Sequence, residues 1–196
     1  PRLSSAASDV YKRQLLASAI IMVKNKIRKS LLKQGQLFCQ DDIKELNSQI
    51  QKNVLKEIDI ESSKNTLLYF QYKNEIPTNL IIDELLKYSN NIYMPRIVSE
   101  NELKFNLFKE GETLKKNKYG IDELMNEDYI NPKVLNTMFI PFVGIDKNGH
   151  RLGYGGGFFD KTLEQLKSQK CRPLFVGLGY DCLLYTSDAA DESRGV

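Results

Sequence analysis

The chain is poor in the residues that most often carry chemistry by themselves. It has one histidine, His150, and three cysteines, Cys39, Cys171 and Cys182, with no C-x-x-C spacing. An odd number of thiols so placed makes neither a zinc site nor a disulfide framework, and a reducing cytoplasm fits them best. His150 stands in the polar turn D-K-N-G-H and reads as solvated, so no serine or cysteine has a histidine-based activating set. No apolar run approaches the roughly 20 residues that a membrane span needs, and Leu15 to Val23 is too short and poorly flanked for a signal peptide. Charge is not gathered in a block either. The 28 Lys and Arg against 25 Asp and Glu leave a net charge of +3 with the lysines scattered, so neither nucleic acid nor membrane is expected as a partner. A small anionic ligand would suffice.

Alanine is absent from the long interior and confined to the ends, at Ala6, Ala7, Ala17, Ala19, Ala189 and Ala190. The opening PRLSSAASDVYKRQ and the closing CLLYTSDAADESRGV resemble translated sequencing-adapter sequence. Residues 1–21 and 183–196 are therefore expected to be non-native tails around one domain, 22–182. A chain of 196 residues suits a single domain with a sizeable core, and a monomer is the expectation.

Within that domain, Val23, Ile27 and Leu31 recur at helical spacing and predict a helix from Met22 to about Leu37. Lys24 and Arg28 share one of its faces, either as a solvated basic face or as a pair with an anion between them. Asp42 and Glu45 read as the N-cap and N3 of a second helix carrying Ile43, Leu46, Ile50, Val54 and Ile58. A buried-type strand, Thr66 to Gln71, a helix, Asn79 to Tyr88, and a strand, Ile92 to Pro95, ended by Pro95 and Arg96, make a β-α-β unit. Alternation over Glu102 to Phe108 predicts an exposed or edge strand. A polar connection with Tyr119 then leads to the apolar run Met138 to Ile145, and Pro173 to Leu178 gives a last strand. The fold class is α/β, with helices on both faces of a mostly parallel sheet.

The chemistry concentrates in Arg151 to Asp160, R-L-G-Y-G-G-G-F-F-D. Glycine at four of five positions lets the backbone take positive φ and approach a ligand closely. The order strand, glycine loop, helix N-terminus offers N–H groups and the positive end of a dipole to an anion, and Arg151 adds a full charge. Phosphate is the natural guest. Neither the Walker A spacing nor G-x-G-x-x-G is met, since Lys161 has no correctly spaced glycine before it and Phe158 stands where the last dinucleotide glycine belongs. A hairpin turn without a ligand remains the alternative.

Four stretches together resemble the 5-formyltetrahydrofolate cyclo-ligases, also called methenyltetrahydrofolate synthetases: K-N-K-I-R at Lys24 to Arg28, N-E-I-P-T around Glu75, M-P-R at Met94 to Arg96, and I-D-K-N-G-H-R-L-G-Y-G-G-G-F-F-D from Ile145 to Asp160. The resemblance implies a three-layer α/β/α sandwich. It also implies the ATP- and Mg²⁺-dependent closure of the small-molecule substrate 5-formyltetrahydrofolate to 5,10-methenyltetrahydrofolate, with release of ADP and phosphate. By the same resemblance Lys24, Arg28 and Arg151 would contact ATP phosphates, and Gly153, Tyr154, Gly155, Gly156, Gly157 and Phe158 would surround them. Asp160 would help hold Mg²⁺. Glu75 would meet the formyl group and, with Arg151, act in catalysis, while Met94, Pro95 and Tyr119 would line the pterin pocket. Structural alternatives stand beside three of these: Glu75 as the cap of a turn, Asp160 as a helix N-terminal residue, Tyr119 as core.

The chain also departs from the family pattern. Phe158 and Phe159 stand where two tyrosines are frequent, and Gln36 where an arginine is. The family's stretch after V-G-L-G-Y-D, with an acidic residue near the metal, is replaced by the closing tail, so the C-terminal end of the fold is expected to be missing. That leaves open a folate- or nucleotide-binding fragment without turnover, or a sugar-phosphate isomerase-like α/β protein.

Overall fold

The computed structural model describes residues 5–34, 40–100 and 102–185, and of residues 5–17, 19, 40 and 41 the backbone alone. Gln36, Leu37, Cys39 and most of the closing segment lie outside these. In chain order the elements are α1 (Ser5–Gln34), α2 (Gln40–Glu57), β1 (Asn65–Leu67), α3 (Asn79–Lys87), β2 (Asn91–Ser99), β3 (Glu102–Leu107), β4 (Leu114–Lys116), β5 (Asp122–Leu124), β6 (Thr137–Phe139), β7 (Gly144–Asp146), β8 (Arg151–Leu152), α4 (Phe158–Leu166), β9 (Leu174–Val176) and β10 (Leu184–Tyr185). Short 3₁₀ turns occupy Pro132–Val134 and Asp181–Leu183. The chain divides into two compact units: residues 38–142 with 156–179, and residues 1–37 with 143–155 and 180–196. Each is described by itself.

The larger unit is built on a five-stranded sheet in the order β3-β2-β1-β6-β9. β2, β1, β6 and β9 run parallel, and only the edge strand β3 is antiparallel. Phe159, Leu163 and Leu166 of α4 recur at helical spacing and pack on Leu67, Tyr93, Phe105, Met138 and Ile140. Fully burying a side chain of this size stabilises by about 1.5–3 kcal/mol. α3 turns its buried Ile81 and Leu85 inward and lies beside β2 and α2. Its N-cap, Thr78, makes no side-chain cap, because its hydroxyl donates to the Tyr69 carbonyl at 3.0 Å. The Gln51 side-chain oxygen of α2 instead takes the Leu80 N–H at 2.9 Å, fastening helix to helix.

Several boundaries differ from the sequence-based expectation. α1 starts at Ser5 rather than Met22, as a segment without glycine or proline allows. Asp42 is not an N-cap but lies inside the first turn of α2, where its charge still favours the dipole. The run Thr66 to Gln71 is a ladder only to Leu67. Its continuation is largely buried without pairing as strand, since burial of apolar residues does not by itself require a partner strand.

β2 is not ended by Pro95 and Arg96 but runs through both to Ser99. β1 pairs only with Asn91–Tyr93, and the Leu68 N–H goes to the Tyr93 carbonyl. Phe108 donates to the Ile92 carbonyl on the other side, so the alternation turns the nitrogen of Pro95 away from β3, toward the side where β1 has already stopped. A missing donor costs nothing there. Two residues on, the Ile97 N–H is taken at 2.9 Å by the buried carboxylate of Glu123 in β5, which also accepts from the Asn117 side chain at 2.8 Å.

The smaller unit packs α1 on a three-stranded sheet, β10-β7-β8, with Leu31, Val143 and Leu152 buried and Ile27, Tyr154 and Tyr185 against them. The apolar run Met138 to Ile145 is therefore not one strand. Thr137–Phe139 belongs to the large sheet, and Gly144–Asp146 opens a hairpin in the other unit. A Cβ on Gly144 would stand 2.5 Å from Leu31, so the absence of a side chain lets α1 sit directly on β7. Among the described residues no helix is long and apolar enough to cross a membrane.

Candidate functional site

The glycine stretch begins differently from the expected strand, loop, helix order. Arg151 is not a loop residue but half of β8, paired with Ile145 across the β7–β8 hairpin. The hairpin turn is organised by Asp146, a buried carboxylate. It accepts the Asn148 N–H at 2.9 Å, the His150 N–H at 2.8 Å, and lies 3.0 Å from His150 Nδ1. Burial works against its charge, but the His150 backbone N–H, the His150 ring and the Asn148 N–H outweigh it and hold the carboxyl below its usual range. His150 keeps most of its ring in solvent, as expected, while orienting toward Asp146.

Two guanidinium groups lie on the first glycines. Arg28 of α1 donates from Nε to the Gly153 carbonyl at 2.6 Å and from Nη1 to the Asn25 side chain at 2.6 Å. A Cβ on Gly155 would stand 3.7 Å from the Arg28 guanidinium carbon, and one on Gly153 would stand 3.1 Å from Arg151 Nη1. Lys24, one turn before Arg28, is exposed. Tyr154 is half-buried against the core of this unit.

The remainder of the stretch belongs to the larger unit. Gly157 caps α4 at φ 68°, and Gly155 before it stands at φ 105°, both in the region that favours glycine. The Phe158 ring lies against Gly156, where a Cβ would be 2.8 Å away. Asp160 is exposed in the first turn of α4, the position that suits a carboxylate by the dipole alone. Among the described residues no three His, Cys, Asp or Glu cluster in a way that would hold a metal. A magnesium ion carried by nucleotide phosphates needs only one or two protein carboxylates, so an exposed Asp160 fits that weaker requirement.

Glu75 is buried within a braced loop of the larger unit. Its Oε2 accepts the Tyr72 N–H at 2.7 Å, and the Gln71 amide donates to its carbonyl at 2.8 Å. Between them Lys73 stands at φ 53°, a left-handed conformation that costs a non-glycine residue about 1–2 kcal/mol. The Tyr69 hydroxyl closes the other side of the loop on the Ile76 carbonyl at 2.9 Å. Glu75 thus does cap a turn, whatever else it does. Met94 is wholly enclosed and Pro95 half-buried, both within β2. Tyr119 is not core: it is exposed in the β4–β5 turn, where Asn117 accepts its N–H at 2.9 Å and Lys118 lies over its ring. Arg96 is occupied structurally, donating to the carbonyls of Met125 and Asn126 at 3.3 and 3.0 Å.

Three features stand outside the sequence-based expectation: Glu123, Asp146 and a cavity of roughly 390 Å³ between β3, the segment 129–132 and α4. Only Asp146 had a signal, an Asp placed two residues before Asn148 and three before Gly149 in a turn. The other two are assembled from residues far apart in sequence.

The fold defines an α/β protein with a mostly parallel central sheet flanked by helices, and the smaller unit carries two guanidinium groups against Gly153 and Gly155. The chain belongs to the 5-formyltetrahydrofolate cyclo-ligase family, whose model matches residues 20–187. It is 34% identical over 137 residues to the 5-formyltetrahydrofolate cyclo-ligase of Haemophilus influenzae, covering 68% of this chain and 72% of that one. With the Mycoplasma genitalium cyclo-ligase the identity is 32% over 163 residues, covering 81% and 85%. The solved structure of Aquifex aeolicus 5,10-methenyltetrahydrofolate synthetase shares the fold, with a TM-score of 0.72 at 23% identity over 84% of this chain and 81% of that one.

Proposed function

We propose that the chain closes 5-formyltetrahydrofolate to 5,10-methenyltetrahydrofolate at the expense of ATP. The observation that carries this reading, beyond family membership, is the pair of guanidinium groups on Gly153 and Gly155. Always-charged guanidinium groups beside bare backbone suit a polyphosphate.

A formamide oxygen is a poor leaving group, and the reaction must change that. The formyl oxygen attacks the γ-phosphorus, ADP departs, and the oxygen becomes part of a phosphate ester on a carbon now open to attack. The N10 nitrogen of the folate adds to that carbon and loses its proton, and inorganic phosphate leaves with the former formyl oxygen. Little proton transfer is demanded of the protein, which fits a chain with one largely solvated histidine. Its work is to hold charge in place.

In this reading Lys24, Arg28 and Arg151 neutralise the phosphate oxygens, and the backbone of Gly153, Tyr154, Gly155, Gly156, Gly157 and Phe158 surrounds them. Asp160 would hold Mg²⁺, which supplies positive charge to the phosphates when bound. Glu75 faces the formyl group and opposes the positive charge that grows on its carbon, while Pro95 and Tyr119 flank the pterin. Met94, enclosed in the core, supports that wall from behind rather than touching the ring.

The test is the appearance of methenyltetrahydrofolate absorbance in the purified chain with 5-formyltetrahydrofolate, with and without ATP. Product that forms only with ATP is expected. A folded chain that binds nucleotide and folate without product would refute the reaction and leave a binding protein.

A further inference from the structure

Glu123 lies in β5 with only 8% of its surface exposed. A buried carboxylate is costly unless its hydrogen bonds are kept, and Glu123 Oε1 keeps two, both from neutral N–H groups outside its own strand. We infer that Glu123 is a positioning residue for the folate: it ties the turn that carries Tyr119 to the strand that carries Pro95, and so sets the gap that takes the pterin. This rests on the reading of Pro95 and Tyr119 above and adds what fixes one against the other.

The tie is a chain of hydrogen bonds within the larger unit. On the strand side, the Ile97 N–H of β2 donates to Glu123 at 2.9 Å. On the turn side, the Asn117 amide donates to the same oxygen at 2.8 Å. Asn117 Oδ1 in its turn accepts the N–H groups of Tyr119 at 2.9 Å and Ile121 at 3.1 Å, while its backbone pairs with Ile121 and Gly120, each at 2.9 Å. Tyr119 has 45% of its surface exposed, so its place is set by this backbone rather than by enclosure in a core.

The strand end is suited to the task. β1 stops beside Tyr93, so the edge of β2 beyond it has no ladder partner there: Pro95 needs none, and the Ile97 N–H finds the carboxylate instead. Arg96, between them, adds a second tie by its bonds to the carbonyls of Met125 and Asn126, and the wholly enclosed Leu124 anchors the strand next to Glu123. An aliphatic side chain at this position would fill the same space, yet leave the Ile97 and Asn117 donors without this acceptor. What the carboxylate adds to bulk is therefore the position of the turn.

The chain has no tryptophan, so Tyr119→Trp places a single reporter in the turn while keeping an aromatic face. In that background the full chain is compared with Glu123→Gln, whose carbonyl can accept both N–H groups, and with Glu123→Leu, which accepts neither. Asn117→Asp sets two carboxylates against each other, and Glu123→Gln with Asn117→Asp restores the bond with donor and acceptor exchanged. Indole anisotropy decay without ligand, and calorimetric titrations with 5-formyltetrahydrofolate and with ATP, are measured at a temperature where every variant is folded. Glu123→Leu and Asn117→Asp should loosen the indole and weaken folate binding by about fivefold or more, with ATP affinity unchanged. Glu123→Gln and the double variant should stay within about twofold of the reporter chain. An unchanged indole in Glu123→Leu, a folate affinity that does not move, a matching loss for ATP, or an equal loss in the two glutamine variants overturns the inference. Tyr119→Ala separates the readings. If folate affinity is indifferent to it, the pterin reading of Tyr119 fails and takes the folate role of Glu123 with it; if folate needs Tyr119 but tolerates Glu123→Leu, the inference alone fails. Folate held through this turn without methenyl product contradicts the reaction and supports the positioning role.

Discussion

Replacing Glu75 by glutamine and, separately, by alanine distinguishes a residue that shapes a turn from one that also serves the reaction. The carboxylate accepts the Tyr72 N–H at 2.7 Å and helps hold Lys73 at φ 53°. Glutamine is nearly isosteric and its carbonyl can accept the same N–H. What is lost is the charge on the acceptor, a difference of about 1 kcal/mol between a charged and a neutral hydrogen bond. In a chain of this size that lowers the melting temperature by roughly 2–4 °C. Alanine removes that acceptor from the Tyr72 N–H, next to the left-handed Lys73. Its cost should be about 1–3 kcal/mol, at least equal to that of glutamine and up to threefold larger.

The reaction responds differently. If Glu75 opposes the positive charge that develops on the formyl carbon, that interaction is strongest at the transition state. Both variants should then lose about two orders of magnitude in turnover, or about 2.7 kcal/mol. The assay is thermal unfolding, ATP titration and cyclisation rate on the same three proteins. The expected pattern is a small stability loss for glutamine, a larger one for alanine, unchanged ATP affinity in both, and equal large losses of turnover. Turnover in Glu75→Gln within a few-fold of the parent would refute the catalytic role and leave Glu75 as the cap of a turn.

Two further outcomes follow from the smaller unit. Arg28→Met removes the donor to the Gly153 carbonyl as well as a charge, so ATP affinity should fall about 10- to 100-fold, whereas the exposed Lys24→Met should cost less than about tenfold; equal losses in a nucleotide titration would show that Arg28 does not shape the turn. Asp146 has a carboxyl held below its usual range, so its stabilisation is complete above the ordinary carboxylate pKa and disappears as pH falls through the lowered value. Urea unfolding across acid pH should therefore find the stability gap between the parent and Asp146→Asn constant near neutrality and shrinking below the ordinary carboxylate range, and a gap independent of pH would contradict this.

The fold was legible where periodicity and burial agree. Val23, Ile27 and Leu31 mark the helix face, of which Ile27 and Leu31 reach the core, and alternation from Leu103 to Leu107 marks the edge strand, although Asn106 on its polar side is buried as well. It was not legible where the same apolar pattern serves two geometries. Met138 to Ile145 reads as one buried strand, yet Pro141 and Phe142 carry it out of one sheet and toward another. Pro95 reads as a strand end because the missing N–H is expensive in a ladder, but sequence does not show that β1 has already stopped beside it. The glycine stretch was legible as a turn opening a helix because glycine at this density has few other uses. That Arg28 fastens its first carbonyl was not, since nothing in the sequence reports a hydrogen bond from α1 to Gly153. The large cavity escaped for the same reason: Lys104 and Lys161 are ordinary surface lysines until β3 and α4 are placed side by side.

The division of the chain sets an order in which its parts can mature during synthesis. α1 is made early, but β7, β8 and β10, which bury Ile27 and Leu31, come only after the whole of β1 to β6. The bond from Arg28 to Gly153 spans 125 residues. At about 5–20 residues per second, a helix with an uncovered apolar face waits on the order of 6–25 seconds for its partners. The larger unit waits too, because α4 and β9 follow the hairpin. Throughout that interval Ile27 and Leu31 are open to whatever apolar surface they meet first, as are the sheet residues that α4 later covers, so both units call for a holding chaperone until the hairpin and α4 have been made.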